Sequence, residues 1–515
     1  MTDQLKLRWV MIFSTLFILL NTFFIAKEMY WFMILPVVLL AVLTAFIALD
    51  MLMLVIVFLT PLSVILQQSD FGVAISVPTE PLLFGVMVIY IIRLFYEGQV
   101  EKKIFFHPVT IAILINLTWI FFTSITSSLP SVSWKFVLSR LWLVVPFYFV
   151  ALHLFKEKKN MRRHIWLYLI SFAIVIIYTL INHAMDNFSE AAAHIAMNPF
   201  YNDHTSYGAM LAMYLPPLIF FVFEAPSLKG ESGTGRKRES ENSDTRTLSH
   251  SHTFTYSPFR DLGHGGGRGI RYFAFLLLLV FITGLIFSYT RAAWLSLIGA
   301  SGVLVIYLLR IRLIPILIMI GGLVVLFFIY QQEIMINLES GKYKNTRNRD
   351  IEQRLQSIAN VTTDASNTER FNRWSSAMRM FREKPFFGWG PGTYQFQYAP
   401  FQISSEKTQI STNFGEKGNS HSEYIGPLAE SGVIGMLSVL GIIITALLTA
   451  GKLIYHSPDK KTRVFAMAIV LGLITYFIHG TLNNFLDTDK AAAPFWGFIA
   501  MLVAMDVSEK PMVND

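Results

Sequence analysis

Long apolar runs separated by short polar segments recur along the chain from end to end. A helix needs about 20 apolar residues to cross the hydrocarbon core of a bilayer. On that criterion the pattern predicts fourteen spans, at 9–26, 29–49, 51–67, 81–97, 108–128, 134–155, 164–182, 204–223, 272–289, 292–309, 313–330, 433–454, 463–482 and 491–507. The spans at 51–67, 81–97 and 491–507 are short or interrupted by proline, so twelve or thirteen also fit. The sequence therefore predicts an all-α integral membrane protein.

Composition agrees with this class, because 54% of the 515 residues are hydrophobic and only 15% are charged. Soluble domains carry roughly a quarter charged residues. The chain has no cysteine, which excludes disulfides, thiolate metal sites, iron–sulfur clusters and cysteine nucleophiles. We expect no cleavable signal peptide, because the first apolar run is long enough to span and no small-residue cleavage site follows it.

The distribution of positive charge favours one orientation in the membrane. The net charge of +8 could suggest nucleic acid, but in a membrane protein an excess of Lys and Arg marks cytoplasmic loops. With a cytoplasmic N-terminus and fourteen crossings, the inside loops hold Lys6, Arg8, Arg93, Lys102, Lys103, Lys156, Lys158, Lys159, Arg162, Arg163, Arg310, Arg312, Lys452, Lys460, Lys461 and Arg463. The outside turns hold little beyond Lys27, Arg291 and Lys490. Both termini are therefore predicted to be cytoplasmic, and no nucleic-acid partner is expected.

Two long polar segments divide the chain into three parts. Residues 1–330 hold eleven spans and include 224–270, a cytoplasmic stretch rich in Gly, Ser, His and charge that we expect to be a flexible linker. Residues 331–432 form a large loop on the outer face, with aromatic residues and a Gly/Pro-marked turn. Loops of this length are usually functional or disordered, and this composition favours function. Residues 433–515 hold the last three spans.

An amphipathic helix is predicted in the outer loop at 370–384, RFNRWSSAMRMFREK. At 100° per residue, one face collects Phe371, Trp374, Met378 and Phe381, with Arg370, Arg373, Arg379 and Arg382 along its two rims. Such a helix lies well on a membrane surface. Its arginines either reach lipid phosphates or, for Arg370 and Arg373, grip a lipid-linked phosphate substrate, since guanidinium matches phosphate oxygens bidentately.

A glycine-rich segment, PFFGWGPG at 385–392, follows this helix. Pro385 is expected to end the helix, and the three glycines permit tight turning or the close approach of another group. A nucleotide-binding loop is excluded, because there is no Walker lysine and no strand–helix context.

His421 lies in NSHSEY at 419–424, where the outer loop enters the membrane. Imidazole titrates near neutral pH, so His421 could take a proton from a hydroxyl nucleophile, or it could be an ordinary interfacial histidine. Glu423 and Glu430, with Tyr424 between them, could orient this imidazole, or the two carboxylates could pair with nearby arginines.

Arg291 lies in a short outer turn, where a lone arginine runs against the positive-inside trend. It indicates either a specific anion or an ion pair. Asp203 and His204 are predicted at the same face, but their spacing matches no metal motif, so no metal ion is expected. The spans themselves carry few charges, of which Arg140 is the main one.

Three motifs occur in order: SYTRAAW at 288–294, RFNRWSSAMRMFREKPFFGWGPGTY at 370–394 and HSEYIGPLAESGVIG at 421–435. Together with the many spans and the large outer loop, they resemble the O-antigen ligase and O-antigen polymerase family of bacterial membrane proteins. The motifs cover the C-terminal half of the chain. The family usually has Asn after the histidine, where this chain has Ser422.

The resemblance implies a metal-independent, cofactor-free glycosyltransferase with a GT-C-like helical fold in the bacterial inner membrane. It implies transfer of a glycan from undecaprenyl pyrophosphate, at the periplasmic face, to a lipid A–core sugar hydroxyl in a ligase or to a second lipid-linked repeat in a polymerase. By position, the family's outer-loop arginine falls on Arg291 and its pyrophosphate-binding arginine on Arg370, with Arg373 beside it, so these three are the expected substrate-binding residues. The family's histidine falls on His421, the expected catalytic residue.

A ligase is the first hypothesis and a polymerase the second. The sequence hardly separates the two, because they differ in the acceptor, whose site is expected in loops that the motifs do not cover. A transporter of a lipid-linked or anionic substrate is a third. Transporters place charges near the bilayer midplane and often contain repeats. Here the polar residues gather at one outer face, which favours interfacial chemistry.

Overall fold

A computed structural model of the chain describes residues 3–28, 48–66, 75–97, 101–224, 268–311, 365–404, 406–408, 411 and 418–509, with isolated positions between 315 and 326. Within these residues, ten helices are long and apolar enough to cross a membrane. The predicted all-α polytopic membrane protein is thereby confirmed.

The described helices are numbered in chain order. They are α1 (Asp3–Ala26), α2 (Leu49–Leu59), α3 (Thr79–Glu97), α4 (Lys102–Phe105), α5 (Pro108–Ile125), α6 (Pro130–Val144), α7 (Ala151–Leu154), α8 (Lys158–Met185), α9 (Glu190–Ala193), α10 (His204–Phe223), α11 (Arg268–Phe287), α12 (Arg291–Leu308), α13 (Ala365–Glu383), α14 (Tyr394–Gln397), α15 (Ile425–His456), α16 (Lys460–His479) and α17 (Asp489–Ser508). A π-helical stretch, Val145–Val150, joins α6 to α7. Short 3₁₀ turns follow α2 at Thr60–Leu62 and α14 at Ala399–Phe401.

The predicted spans and the observed helices correspond closely. The spans predicted at 9–26 and 51–67 appear as shorter apolar helices, Ser14–Ala26 and Leu49–Leu62. Those predicted at 29–49 and 313–330 lie almost wholly outside the described residues, as do the linker at 224–270 and the first part of the outer loop.

A two-stranded antiparallel ribbon departs from the all-helical expectation. Strands β1 (Val64–Leu66) and β2 (Ile75–Val77) pair with Val64 opposite Val77. The 3₁₀ turn at Thr60–Leu62 ends the helix at Pro61, which cannot donate a backbone hydrogen bond. The chain then leaves the helix as a short strand, a length at which apolar periodicity does not distinguish helix from strand.

Two kinds of span make up the membrane bundle. In α10 and α17, 72% and 78% of the spanning residues are buried by protein, against 28% and 22% in α11 and α12. α10 packs on α16 and α11, and a close approach at Gly472 brings α16 against the backbone of α10. The central helices therefore form the scaffold, and α11 and α12 lie at its periphery.

A buried cluster of charged residues lies at the start of α17. Arg140 is therefore not the main charged residue of the spans, contrary to what the sequence predicted. Asp489 and Lys490 are 0% and 3% exposed, and Glu80 is 8% exposed. Ser63 Oγ donates to Asp489 Oδ2 at 2.7 Å, and Lys490 Nζ donates to Ser63 Oγ at 2.6 Å. Opposite charges with satisfied hydrogen bonds can be buried in this way. The predicted span began two residues later, which left Lys490 in an outer turn.

Candidate active site

The outer-loop helix α13 contacts the membrane domain through a face that the amphipathic pattern did not predict. The buried positions are Glu369, Asn372, Arg373, Ser376, Ala377 and Met380. The predicted apolar face is only half-buried. The helix thus packs small and polar side chains inward, and Arg373 lies within the buried face rather than along an exposed rim.

The guanidinium of Arg373 is held on several sides. Its Nε donates to Glu369 Oε1 at 2.9 Å, and its Nη1 donates to the carbonyl oxygen of Asn419 at 2.9 Å. The Tyr398 ring lies under it, with 5.3 Å from Cζ to the ring centroid. Arg373 therefore fixes the backbone two residues before His421.

His421 lies in a tight turn just before α15. Its backbone N–H donates to Asn419 Oδ1 at 3.0 Å, and its φ of 51° is left-handed. The next residue stabilises the turn that leads into α15, because Ser422 Oγ accepts from the N–H groups of Tyr424 at 3.3 Å and Ile425 at 3.4 Å.

Burial, and next the positive charges of Arg373 and Arg370, lowers the pKa of His421 to about 3. Asp203 acts in the opposite direction. An imidazole with this pKa is neutral at pH 7, so it is in the form that can accept a proton. The imidazole of His421 is therefore neutral, and it lies within the electrostatic influence of two guanidinium groups.

Arg370 is half-buried. Its Nε donates to the carbonyl oxygen of Leu482 at 3.1 Å. Leu482 belongs to residues 480–488, the α16–α17 turn. Arg370 is thus anchored next to the C-terminal end of α16, one helical turn of α13 from Arg373.

Arg291 is exposed in the first turn of α12. The preceding Thr290 donates from Oγ1 to the carbonyl oxygen of His204 at 3.0 Å, which ties α12 to the start of α10. The backbone of Ala292 contacts His479, the last residue of α16. Arg291 and Arg370 therefore both lie at the C-terminal end of α16.

Glu423 binds the α16–α17 turn. Its Oε1 accepts from Tyr476 Oη at 2.7 Å and from the backbone N–H groups of Phe485 at 2.7 Å and Leu486 at 2.9 Å. Burial, and next the charge of Asp487, raises the pKa of Glu423 to about 7. The carboxylate therefore organises a backbone turn next to the site.

Glu430 and Tyr424 join the outer loop to the spans. Glu430 Oε1 accepts from the backbone N–H of Tyr394 at 2.9 Å, and Tyr424 Oη donates to the carbonyl oxygen of Phe477 at 2.7 Å. Both bonds are made to backbone groups and not to the imidazole of His421. The turn that holds His421 is stabilised by Asn419 and Arg373.

The glycine-rich segment packs against a break in α15. Gly432 has a φ of 69° and interrupts the helix there. The N–H of Val433 donates to the carbonyl oxygen of Pro385 at 2.9 Å, and a Cβ at Gly432 would overlap the carbonyl oxygen of Phe386. Only glycine can bring the two backbones this close.

The same segment satisfies the carbonyl groups that the break leaves without a helical partner. Trp389 N donates to the oxygen of Ala429 at 3.1 Å, and Gly390 N to that of Glu430 at 2.8 Å. Gly388 and Gly390, both at positive φ, make this approach possible. The second and third sequence motifs thus form one structural unit.

Sequence reasoning assigned no role to Asp203 and His479. Asp203 caps α10, and hydrogen bonds from His204 and Thr205 lower its pKa to about 2 although burial alone would raise it. An Asp two residues before a Thr at the start of an apolar run signals this cap. His479 lies within the predicted span at 463–482, and no feature of the local sequence distinguishes it from the other residues of that span.

Together these features define a polytopic membrane protein whose candidate site combines arginines with a neutral histidine. Residues 274–440 match the family model described as O-Antigen ligase. The matched region contains all three motifs, and it confirms the resemblance to the O-antigen ligase and polymerase family.

A second comparison finds an uncharacterized protein of Haemophilus influenzae. It is 24% identical over 118 residues, which cover 23% of this chain and 28% of the relative. The match spans little more than a quarter of that relative's length, and it gives no information on function.

Proposed function

We propose that the protein is an O-antigen ligase-type glycosyltransferase of the bacterial inner membrane. It takes a glycan from undecaprenyl pyrophosphate at the periplasmic face and transfers it to a sugar hydroxyl of lipid A–core. Transfer is inverting and needs no metal ion. The family match at 274–440 supports this class of chemistry.

The observation that carries the proposal is the joining of Arg373 to the His421 turn, with Arg370 anchored nearby. Arg373 Nη1 contacts the carbonyl oxygen of Asn419 at 2.9 Å, and the charges of Arg373 and Arg370 both act on His421. A donor diphosphate held by Arg370 would therefore lie near a base.

The arginines have different tasks in this mechanism. Arg291 is exposed and Arg370 is half-exposed, so we assign both to the pyrophosphate. Arg373 is buried against Glu369, so we assign it to positioning the base. Guanidinium groups aimed at the leaving oxygen stabilise the charge that develops there, as a divalent metal does in other transferases.

His421 takes the proton from the acceptor hydroxyl as that oxygen attacks the anomeric carbon. Attack on the side opposite the pyrophosphate inverts the anomeric centre. The negative charge of a bound diphosphate offsets the two arginines, so the pKa of His421 rises when the donor binds. The base thus becomes stronger when the reaction needs it, and the pyrophosphate bond supplies the driving force.

A polymerase, which would transfer the same donor to a lipid-linked repeat, remains the second candidate because the family includes both activities. Deletion of the gene in its host, followed by electrophoresis of surface glycans, separates them. Loss of a ligase leaves long chains on the carrier lipid, and loss of a polymerase leaves one repeat on the core. Unchanged surface glycans would contradict both assignments.

A further inference from the structure

The α16–α17 turn contacts two residues of the site, Glu423 and Arg370. On one side is Glu423, two residues after His421. Its backbone N–H donates to the carbonyl oxygen of Gly480 at 2.8 Å, while its side chain accepts from Phe485 and Leu486. One residue therefore holds the turn at both of its ends.

On the other side, the turn supplies the anchor of Arg370. The carbonyl oxygen of Leu482 accepts from Arg370 Nε at 3.1 Å. Leu482 lies between the two points that Glu423 holds. A second tie comes from α6, since Arg140 Nη2 donates to Asp487 Oδ1 at 2.8 Å.

We propose that Glu423 is a positioning residue that sets the placement of Arg370 relative to His421 through the α16–α17 turn. This inference rests on the proposed function and deepens it, because it assigns the control of donor placement to a residue that need not touch the donor. The chain of contacts is short: His421 adjoins Glu423, Glu423 holds the turn, and the turn holds Arg370.

The contacts of Glu423 require an oxygen acceptor rather than a negative charge. All three side-chain bonds are accepted by Oε1, from a tyrosine hydroxyl and two backbone N–H groups. A glutamine offers the same carbonyl oxygen with the same reach. An alanine leaves two buried N–H groups and a hydroxyl without that acceptor.

The test compares Glu423→Gln with Glu423→Ala in the full-length protein. Binding of undecaprenyl pyrophosphate and transfer from a glycan-loaded donor are both measured. We expect Glu423→Ala to weaken binding and raise the donor KM about tenfold or more, since a shift of about 1 Å in a positioned group can cost about 100-fold. Glu423→Gln is expected to stay within about twofold of the wild type, because it restores the acceptor.

Hydrogen exchange over 480–488 gives a readout that does not depend on transfer. Faster exchange of this turn in Glu423→Ala than in Glu423→Gln is expected. Unchanged exchange and unchanged binding in Glu423→Ala would overturn the positioning role. A glutamine variant as inactive as the alanine variant would also overturn it, because the carboxylate would then act through its charge or its proton.

Asp487→Asn provides a second route if Glu423→Ala does not fold. Asp487 is exposed, so this change weakens the tie to Arg140 with little risk to the fold. We expect a smaller rise in donor KM with little change in kcat. Lys452→Gln is the control and should change neither, because it alters an exposed side chain that pairs with Asp506 near the end of α15 remote from His421.

The two proposals fail in different ways. A wild-type chain that binds undecaprenyl pyrophosphate but transfers nothing counts against the transferase alone. Wild-type transfer with an unaffected Glu423→Ala variant counts against the positioning role alone.

Discussion

His421 is the residue on which the proposed chemistry depends most directly. We expect His421→Gln to lower kcat by roughly 100- to 10,000-fold, the usual contribution of a positioned general base, while undecaprenyl pyrophosphate still binds. Transfer assays in detergent with a lipid-linked donor measure the first effect, and binding to the purified variant measures the second.

The matched control is His456→Gln, at the far end of the same helix, where the side chain is exposed. It is expected to behave as the wild type does. Full transfer activity in His421→Gln would remove the general-base role and leave His421 as a residue that positions the acceptor.

The lowered pKa of His421 has a consequence for pH dependence. A general base works in its unprotonated form, and with a pKa of about 3 the free protein keeps His421 unprotonated at any ordinary assay pH. We therefore expect kcat/KM to stay level from about pH 8 down to about pH 5, whereas an ordinary imidazole would lose about tenfold per unit below about 6.5.

The pH dependence of the donor-bound protein should differ, because the negative charge of the diphosphate offsets the positive charges of the arginines and raises the pKa of His421. The acid limb of kcat is expected at a higher pH than that of kcat/KM. A fall of kcat/KM that begins near pH 6.5 would show that His421 is not shielded from protonation in the free protein.

At the scale of the element, the break in α15 at Gly432 and the glycine-rich segment stabilise each other. Gly432→Ala places a side chain at positive φ and against the carbonyl oxygen of Phe386. Positive φ with ψ near 180° is a conformation that essentially only glycine adopts, and it costs another residue about 1–3 kcal/mol, so the melting temperature in detergent should fall measurably.

Gly441→Ala, two turns further along α15, is the matched control. A Cβ at Gly441 meets nothing within 4 Å. This substitution should leave the melting temperature unchanged or raise it, because alanine favours a helix over glycine by roughly 0.5–1 kcal/mol. Equal effects of the two variants would mean that the break is not required for stability.

The outer-loop helix α13 shows what an amphipathic pattern can and cannot determine. Its existence and its end near Pro385 follow from local sequence. Its buried face does not, because Asn372, Arg373 and Ser376 are polar and are buried only where partners such as Glu369 and Asn419 are available. Those partners come from other parts of the chain, so periodicity does not identify the face that is buried against protein.

At the scale of the whole molecule, the charge pattern predicts that α13 and the cytoplasmic end of α16 lie on opposite sides of the membrane. The absence of cysteine makes this testable, because a single introduced thiol is the only one in the chain. In intact spheroplasts, a membrane-impermeant maleimide should label Glu383→Cys and not Lys460→Cys, both of which are exposed.

Permeabilised cells serve as the control, since both variants should then react. Labelling of Lys460→Cys alone in intact spheroplasts would invert the topology. It would place the arginines and His421 at the cytoplasmic face, where a periplasmic transfer cannot occur.

The sequence by itself determined the membrane class, most of the spans and the motifs that hold Arg291, Arg370 and His421. Each of these depends on local information: apolar length, charge in the connections and residue order. The tertiary structure alone decided the buried role of Arg373, the burial of Asp489 and Lys490, and the tie from Glu423 to the turn that anchors Arg370. These depend on which distant backbone groups come within hydrogen-bonding distance, and no local pattern encodes that distance.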